Sequence, residues 1–553
     1  MNSTNLNVPF LNLLATLQER SGQVNVRVGG NTQENATLVD SLPDGKALLK
    51  TEASVDGPNE SPTLTLSNDF LYALSNISSL VSTKWYLGVP FNDTNALRLQ
   101  IVEVGESILG DNLLGFQVGN EPDFYASHSH RPSTYSPADY NTEFGTVVQA
   151  IAQNPEIKTR NNLIGPSVAS GPWSPEDVWN TGFIEDHASA LSALAVEHYP
   201  DNNCAKVFPN GGFGDPKDPQ AVFANYLNHT SGIAMVQSYL NSASLAKQAG
   251  KPLLMFETNT ASCGGFPGVS DSFGAALWAT DYGLQMAYSG FSGALLHVGG
   301  QSAFYNPFTP PPGNESSIHQ WTIGSTFYAA VAVAETFGKS GKAQIVDLQA
   351  NGDNMYTPGY AIYENGSLSR VALFNYITDP SGTSDYTVSL SIADGTGPSQ
   401  VYVKYLVASS VSEKYNITWA GQTMGGEFAS DGRFQGDESI QTVTCDHSTG
   451  TTCSIKVPAP GFALVFLSSE ALSESEPSST MTFATTVTTK TATTATIDSS
   501  VLATAQGQSG RDRQHNHATS KGSSGATMTA TTLSSTIVTI SSLFGVLSVV
   551  WLC

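Results

Sequence analysis

Leu113-Leu-Gly-Phe-Gln-Val-Gly-Asn120-Glu121-Pro122 and, much later, Pro252-Leu-Leu-Met-Phe-Glu257-Thr-Asn259 share one pattern, a short apolar run that breaks into polar residues at a glutamate. A buried parallel strand reads this way when its C-terminal end opens at the rim of a barrel. Such a barrel gathers all its strand ends on one face, so two acids distant in sequence can meet across its mouth.

Outward from these two runs the pattern repeats. Apolar spacing predicts helices over residues 7–20, 95–109, 137–153, 175–191, 232–248, 273–288 and 323–337. Between them fall strands from Val24, at Lys84 to Phe91, to Glu121, at Leu163 to Val168, at Leu194 to Tyr199, to Glu257 and at Gly293 to Val298. Repeated βα units imply parallel strands with crossover helices, hence a (β/α)8 TIM barrel over residues 1–340. One strand is missing from the count. Because the chain opens on a helix, the expected absentee is the first strand, and a doubly wound open sheet is the structural alternative.

From about Ala343 short alternating runs take over, among them Gly359-Tyr-Ala-Ile-Tyr, Gln400-Val-Tyr-Val-Lys-Tyr-Leu and Gly461-Phe-Ala-Leu-Val-Phe-Leu. They predict an antiparallel β-sandwich over residues 341–467. Residues 468–530 are dominated by Ser, Thr, Ala and Gly and are too poor in large apolar side chains to pack a core, which predicts a disordered, O-glycosylated stalk. The tail, 531–553, is apolar and uncharged. With small residues before it, it reads as a lipid-attachment (GPI) signal with Ser523 or Ser524 as the attachment site; a single-pass anchor is the alternative.

Of the 553 residues only 13% are charged, yet the formal net charge is −23, which leaves no basic surface for nucleic acid. Asn-X-Ser/Thr sequons begin at Asn2, Asn35, Asn59, Asn76, Asn92, Asn228, Asn314, Asn365 and Asn416, a density expected of an extracellular, glycosylated protein. The N-terminus shows no signal peptide, although the sequons call for one. Cysteine usage fits that compartment: Cys445 and Cys453 are spaced for a hairpin disulfide, and Cys204 and Cys263 follow two predicted strands whose loops they can join. No metal-ligand spacing occurs, and no cofactor is called for.

Glu121 and Glu257 are therefore a candidate catalytic pair. Cleaving a glycosidic bond requires one carboxylic acid to protonate the leaving oxygen and one carboxylate to attack or to activate water. Asn120 is placed to donate to a sugar hydroxyl. In Val196-Glu197-His198-Tyr199-Pro200 the Tyr199 hydroxyl is placed to hold Glu257, Glu197 is a competing acid, and strict alternation allows only one of Glu197 and His198 to face the interior. His198 reads equally as a histidine satisfied at the barrel rim.

Arg27-Val-Gly-Gly-Asn-Thr-Gln, Asn120-Glu121-Pro122, Glu197-His198-Tyr199-Pro200, Glu257-Thr-Asn-Thr with Gly264-Gly265, and the late sandwich together resemble glycoside hydrolase family 79, the β-glucuronidases and heparanases, over roughly residues 6–467. The resemblance implies Glu121 as acid/base, Glu257 as nucleophile, and a retaining β-glucuronidase acting on glucuronic acid or its 4-O-methyl form in cell-wall or proteoglycan glycans. It implies that Tyr305 binds the substrate carboxylate, to which the N–H groups around Gly264 and Gly265 can also donate. It further implies sandwich strands drawn from the extreme N-terminus. Competing expectations are another retaining glycosidase of the same clan, a lipid-anchored glucan transglycosylase, and a non-catalytic glycan-binding wall protein.

Overall fold

The structure, a computed structural model, describes residues 3, 6–50, 63–300, 303–311, 321–392, 397–448, 451–476, 481, 483 and the backbone of 547–552. The sequons at Asn2, Asn59 and Asn314, the attachment candidates Ser523 and Ser524, and most of the stalk lie outside them.

Seven parallel strands form the barrel: β1 (Val24–Val28), β2 (Thr83–Val89), β3 (Leu113–Val118), β4 (Leu163–Val168), β5 (Leu191–Glu197), β6 (Leu253–Thr258) and β7 (Gly293–Val298). Each pairs with its successor in sequence, as right-handed βα units require. The seam between β1 and β7 is filled by Leu547–Leu552, antiparallel to both. The terminal stretch read as an attachment signal thus has six residues in the barrel wall, and they occupy the place where the missing strand was expected.

Alternation along the strands decides what the barrel interior holds. Ile164, Ala193, Ala195, Leu254, Phe256 and Leu295 form an apolar plug with Tyr86 packed on it. One step nearer the C-terminal rim the inward positions turn polar, at Arg27, Gln117, Glu197 and His297, all buried. Glu257 breaks the alternation. Pairing of β6 slips on both sides, between Val196 and Glu197 of β5 and between Ala294 and Leu296 of β7, and the irregularity lets Phe256 fill the plug while the next residue, Glu257, also turns inward.

Helices cover the outside. The first runs Val8–Ser21; the Asn7 side chain accepts from the Phe10 N–H at 3.3 Å, and Gly22 ends it at φ 82°. The expected single helix over 175–191 is two short ones, Pro175–Trp179 and Phe183–His187, because Gly182 enters the left-handed region at φ 87°. The 232–248 helix likewise divides, into Thr230–Gln237 and Leu240–Ala249, at Tyr239, which leaves helical geometry. The strand expected over 194–199 spans Leu191–Glu197, and the helix expected from residue 95 starts at Gln100. A small sheet of Ala36–Val39, Leu48–Lys50 and Leu64–Ser67 and the helix Asn68–Leu80 were not expected; they fill the long excursion between β1 and β2.

The C-terminal domain is antiparallel. One sheet runs Gln344–Asp347, Gly359–Glu364, Ser367–Asn375, Gly461–Phe466, Gln400–Val407, Thr418–Trp419, and Gln441–Thr444 also pairs with Gln400–Val407. A second pairs Tyr386–Ile392 with Thr451–Val457. Val371, Leu373, Val401, Val403, Ile455 and Val457 are buried in one cluster with the Cys445–Cys453 disulfide. Among the described residues no N-terminal strand joins these sheets. The helix Ser469–Ser475 carries order past the expected start of the stalk, and Arg370 reaches from the sheet to Glu474 at 2.9 Å.

Barrel and sandwich are bolted together by a buried ionic cluster. His229 Nδ1 lies 3.0 Å from Asp281 on the helix Phe273–Tyr288, and its Nε2 lies 3.2 Å from Asp347 of the sandwich. Tyr360 and Tyr376 also donate to Asp281, at 2.5 and 2.9 Å. Burial works against the imidazolium, but hydrogen bonds and charge from the two aspartates outweigh it and push the His229 pKa up to about 10. A histidine pKa raised on folding contributes stability that is fully present below about 6.5 and is lost as pH rises through about 10. We expect His229→Ala, which leaves the buried Asp281 without this cation, to cost about 3 kcal/mol and to flatten the alkaline fall in Tm between those two pH values. Thermal melts of both proteins across pH check this.

Candidate active site

Arg27 stands at the centre of the rim. Its side chain is 1% exposed and its donors are divided among five neighbours. Nη1 meets Glu257 Oε2 at 2.7 Å and the Phe256 carbonyl at 3.3 Å, while Nε donates to Gln117 Oε1 at 2.8 Å. Nη2 donates to Asn120 Oδ1 and lies 3.2 Å from Glu197 Oε1. Gln117 completes the ring by donating to that same Glu197 oxygen at 2.8 Å. The guanidinium also sits 5.0 Å from the centroid of the Phe256 ring, so its face is covered by the apolar plug.

Glu257 receives the remaining donors. Tyr199 Oη donates to Glu257 Oε1 at 2.8 Å, and His297 Nδ1 stands 3.3 Å from the same oxygen. Burial alone would raise the pKa of this carboxyl, but His297, Arg27 and Tyr199 together hold it below the ordinary carboxylate range. His297 is itself pushed below its usual value by burial and by Arg27, so at neutral pH Arg27 is the lasting positive charge. Glu257 is therefore an anion with both oxygens directed by donors.

Glu121 has the opposite environment. Burial raises its pKa well above the ordinary value, and the charges of Glu197, Glu257 and Asp123 raise it further, against the pull of Arg27. The Glu121 backbone is in the left-handed region, φ 47° and ψ 57°, which costs a non-glycine residue about 1–2 kcal/mol. Hydrogen bonds from the Glu121 N–H to the Ser167 carbonyl at 3.1 Å and from the Phe124 N–H to the Glu121 carbonyl at 2.9 Å hold the corner. Neighbouring Asn120 has its amide fixed at both ends: its oxygen accepts from Arg27, and its nitrogen donates to Asn31 Oδ1 at 3.0 Å and lies 3.5 Å from Glu121 Oε2.

The predicted residues thus gather in one place. Glu197, read as a competing acid, faces the interior, where burial and the Glu257 charge raise its pKa well above normal and its Oε2 has no hydrogen-bond partner among the described residues. His198 turns the other way, onto Tyr239 Oη at 2.5 Å, and burial lowers its pKa to about 4. Tyr305 Oη lies 3.1 Å from His297 Nδ1 and is buried. The Cys204–Cys263 disulfide ties the loop after β5 to the loop after β6, with its Cα atoms 5.1 Å apart, and so anchors Gly264 and Gly265. Those glycines have φ of 84° and 77°, their carbonyls accept from Phe304 N and Asn203 Nδ2 at 2.7 and 2.9 Å, and a Cβ on Gly265 would come 3.0 Å from Tyr305. Among the described residues neither glycine N–H donates a hydrogen bond. Nor is any cluster of three His, Cys, Asp or Glu side chains there arranged to hold a metal ion.

Sequence reasoning assigned no part to Arg27, Gln117 or His297. A signal was available: each is a polar residue at an inward position of an otherwise apolar strand, in Val24-Asn-Val-Arg27-Val, Phe116-Gln117-Val and Leu295-Leu-His297-Val.

Residues 359–464 match the model of the glycosyl hydrolase family 79 C-terminal beta domain. Two fungal relatives named beta-glucuronidase align along most of the chain. The one from Aspergillus niger is 27% identical, spanning 76% of this chain and 78% of its own length; the one from Neurospora crassa is 25% identical, spanning 74% and 79%. The chain is a glycoside hydrolase related to family 79. Its fold matches that of a 4-O-alpha-L-rhamnosyl-beta-D-glucuronidase from Fusarium oxysporum, with a TM-score of 0.65 at 21% identity over 84% of this chain and 92% of that one. A family 51 alpha-L-arabinofuranosidase from Bifidobacterium longum shares the fold at a TM-score of 0.53 and 12% identity, covering 83% of this chain and 89% of its own.

Replacing Arg27 by Met removes the charge that keeps Glu257 ionised. A carboxyl that loses a nearby cation gains pKa, so the acidic limb of the kcat/KM profile should move to higher pH, with a loss of about 100-fold at neutral pH. A pH–rate profile on a glycoside substrate of this hydrolase measures both.

Proposed function

We propose that the protein is a retaining β-glucuronidase that removes glucuronic acid, or its 4-O-methyl form, from cell-wall or proteoglycan glycans. The observation that carries the reading is the opposed surroundings of two acids on one barrel rim: Arg27 at 2.7 Å and Tyr199 at 2.8 Å draw the Glu257 pKa down, while burial and neighbouring carboxylates push that of Glu121 up. In the first step a Glu257 oxygen bonds to the anomeric carbon as the C–O bond to the leaving group breaks, and the Glu121 proton passes to the departing oxygen. In the second step Glu121, now a carboxylate, takes a proton from water as that water displaces Glu257. Loss of the Glu257 charge in the ester lowers the Glu121 pKa and suits it to act as base.

Recognition of a glucuronate carboxylate is supported by the N–H groups of Gly264 and Gly265 beside the Tyr305 ring, unengaged among the described residues, since consecutive residues of positive φ can present a concave set of donors. The beta-glucuronidase names of the fungal relatives favour the same substrate class. Assays on aryl glucuronide, glucoside and galactoside, with the configuration of the first-formed product read by proton NMR, test the reading. Glucuronide turnover with retention supports it; inversion, or preference for a neutral sugar, overturns it.

The sequons and both disulfides support an extracellular setting, and the apolar tail supports attachment through a lipid at Ser523 or Ser524. Release by a phosphatidylinositol-specific phospholipase tests the anchor. An intact mass that includes the chain to Cys553 would instead keep Leu547–Leu552 in the barrel wall.

The two acids should separate by substitution. Glu121→Ala should lower kcat/KM by about 1,000-fold on substrates with poor leaving groups and by less than about tenfold on an activated aryl glucuronide, which needs little protonation. Glu257→Ala should abolish both, since no covalent intermediate forms. Added azide should rescue the first variant with retained configuration and the second with inverted configuration, as product analysis would reveal.

A further inference from the structure

The strained corner at Glu121 is gripped from behind by a carboxyl that takes no part in the steps above. Glu34 sits on the 3-10 turn Asn31–Asn35 that follows β1 and is 2% exposed. Its Oε1 accepts from the Asn120 N–H at 2.8 Å and from Tyr125 Oη at 2.7 Å, and its Oε2 accepts from the Phe91 N–H at 2.8 Å. Three consecutive strand ends, those of β1, β2 and β3, are thereby joined through one side chain. The same turn supplies Asn31 to the Asn120 amide, so backbone and side chain of Asn120 are fixed by residues three apart in sequence. Gly119 makes the approach possible: at φ 76° it carries no Cβ, and one there would lie 2.7 Å from Tyr125 Oη.

A left-handed glutamate persists only where its surroundings over-determine it. The next residue, Pro122, disfavours helical geometry at Glu121 still further. From this geometry we infer that Glu34 is a positioning residue for the general acid, holding the Gly119–Glu121 corner so that the Glu121 proton faces the leaving-group oxygen. Burial raises the Glu34 pKa, and its donors work against that rise, as suits a group whose hydrogen bonds, rather than exchange of its proton, do the holding.

The inference rests on the reading of Glu121 as general acid, and the test keeps the two apart. For a series of aryl glucuronides of increasing leaving-group pKa, kcat/KM reports only the first chemical step. Glu34→Gln retains shape and one acceptor but sets an amide N–H2 against a backbone or phenol donor. It should lose about 10- to 100-fold on the poorest leaving groups and under about threefold on the most activated, because misplacing a catalytic group by a fraction of an ångström acts only where that group is needed. Tyr125→Phe, which keeps the ring and removes one donor, should show the same tilt at about fivefold and carries the test if Glu34→Gln does not fold. A structural role alone would lower every substrate by one factor. If that uniform loss, or none, is seen while Glu121→Ala shows a steep leaving-group dependence, the positioning role is wrong and the acid assignment stands. If Glu121→Ala shows no such dependence, both fall together.

Discussion

One buried cation among three carboxyls, two of them buried (Glu197 and Glu257) and one half-buried (Glu121), governs this molecule. Arg27 contacts Glu257 and Glu197 directly and reaches the Glu121 corner through Asn120. A single guanidinium cannot balance three anions crowded at this range, so the carboxyls must divide the available charge. Geometry decides the division. Glu257 takes the 2.7 Å contact and two further neighbours, Tyr199 and His297, which draw its pKa down; Glu197 and Glu121, less well placed, have theirs raised. The same electrostatic competition separates the two acids into the roles proposed for them.

The fold serves that competition. The apolar plug from Ile164 to Leu295 seals the barrel beneath Arg27, and the break in alternation in β6 turns Glu257 toward the guanidinium from a position that strict alternation would direct outward. The Cys204–Cys263 disulfide fixes the glycine loop beside Tyr305, and the His229 cluster seats the sandwich on the helix that follows β6.

What could be read from sequence follows from this division of labour. Strands and long helices such as Pro137–Gln153 and Phe273–Tyr288 were legible because burial imposes periodicity on consecutive residues. Both acids were legible because they end apolar runs. Arg27, Gln117 and His297 were not given roles, since their meaning lies in contacts between strands that no local pattern encodes. Breaks at Gly182 and Tyr239 were hidden by helical spacing that continues through them. The antiparallel strand Leu547–Leu552 was out of reach for another reason: an apolar, uncharged run suits a lipid as well as a barrel wall, so its composition does not announce a strand.

The division of charge can be observed directly. With glutamate side-chain carboxyls labelled by carbon-13, and single Gln variants used for assignment, an NMR titration follows each acid separately. The account predicts that Glu257 titrates below the ordinary glutamate value of 4.5 and Glu121 well above it, and that in Glu257→Gln the Glu121 transition moves down because an opposing charge has gone. Titration in the reverse order, or a Glu121 transition indifferent to the loss of Glu257, would contradict it.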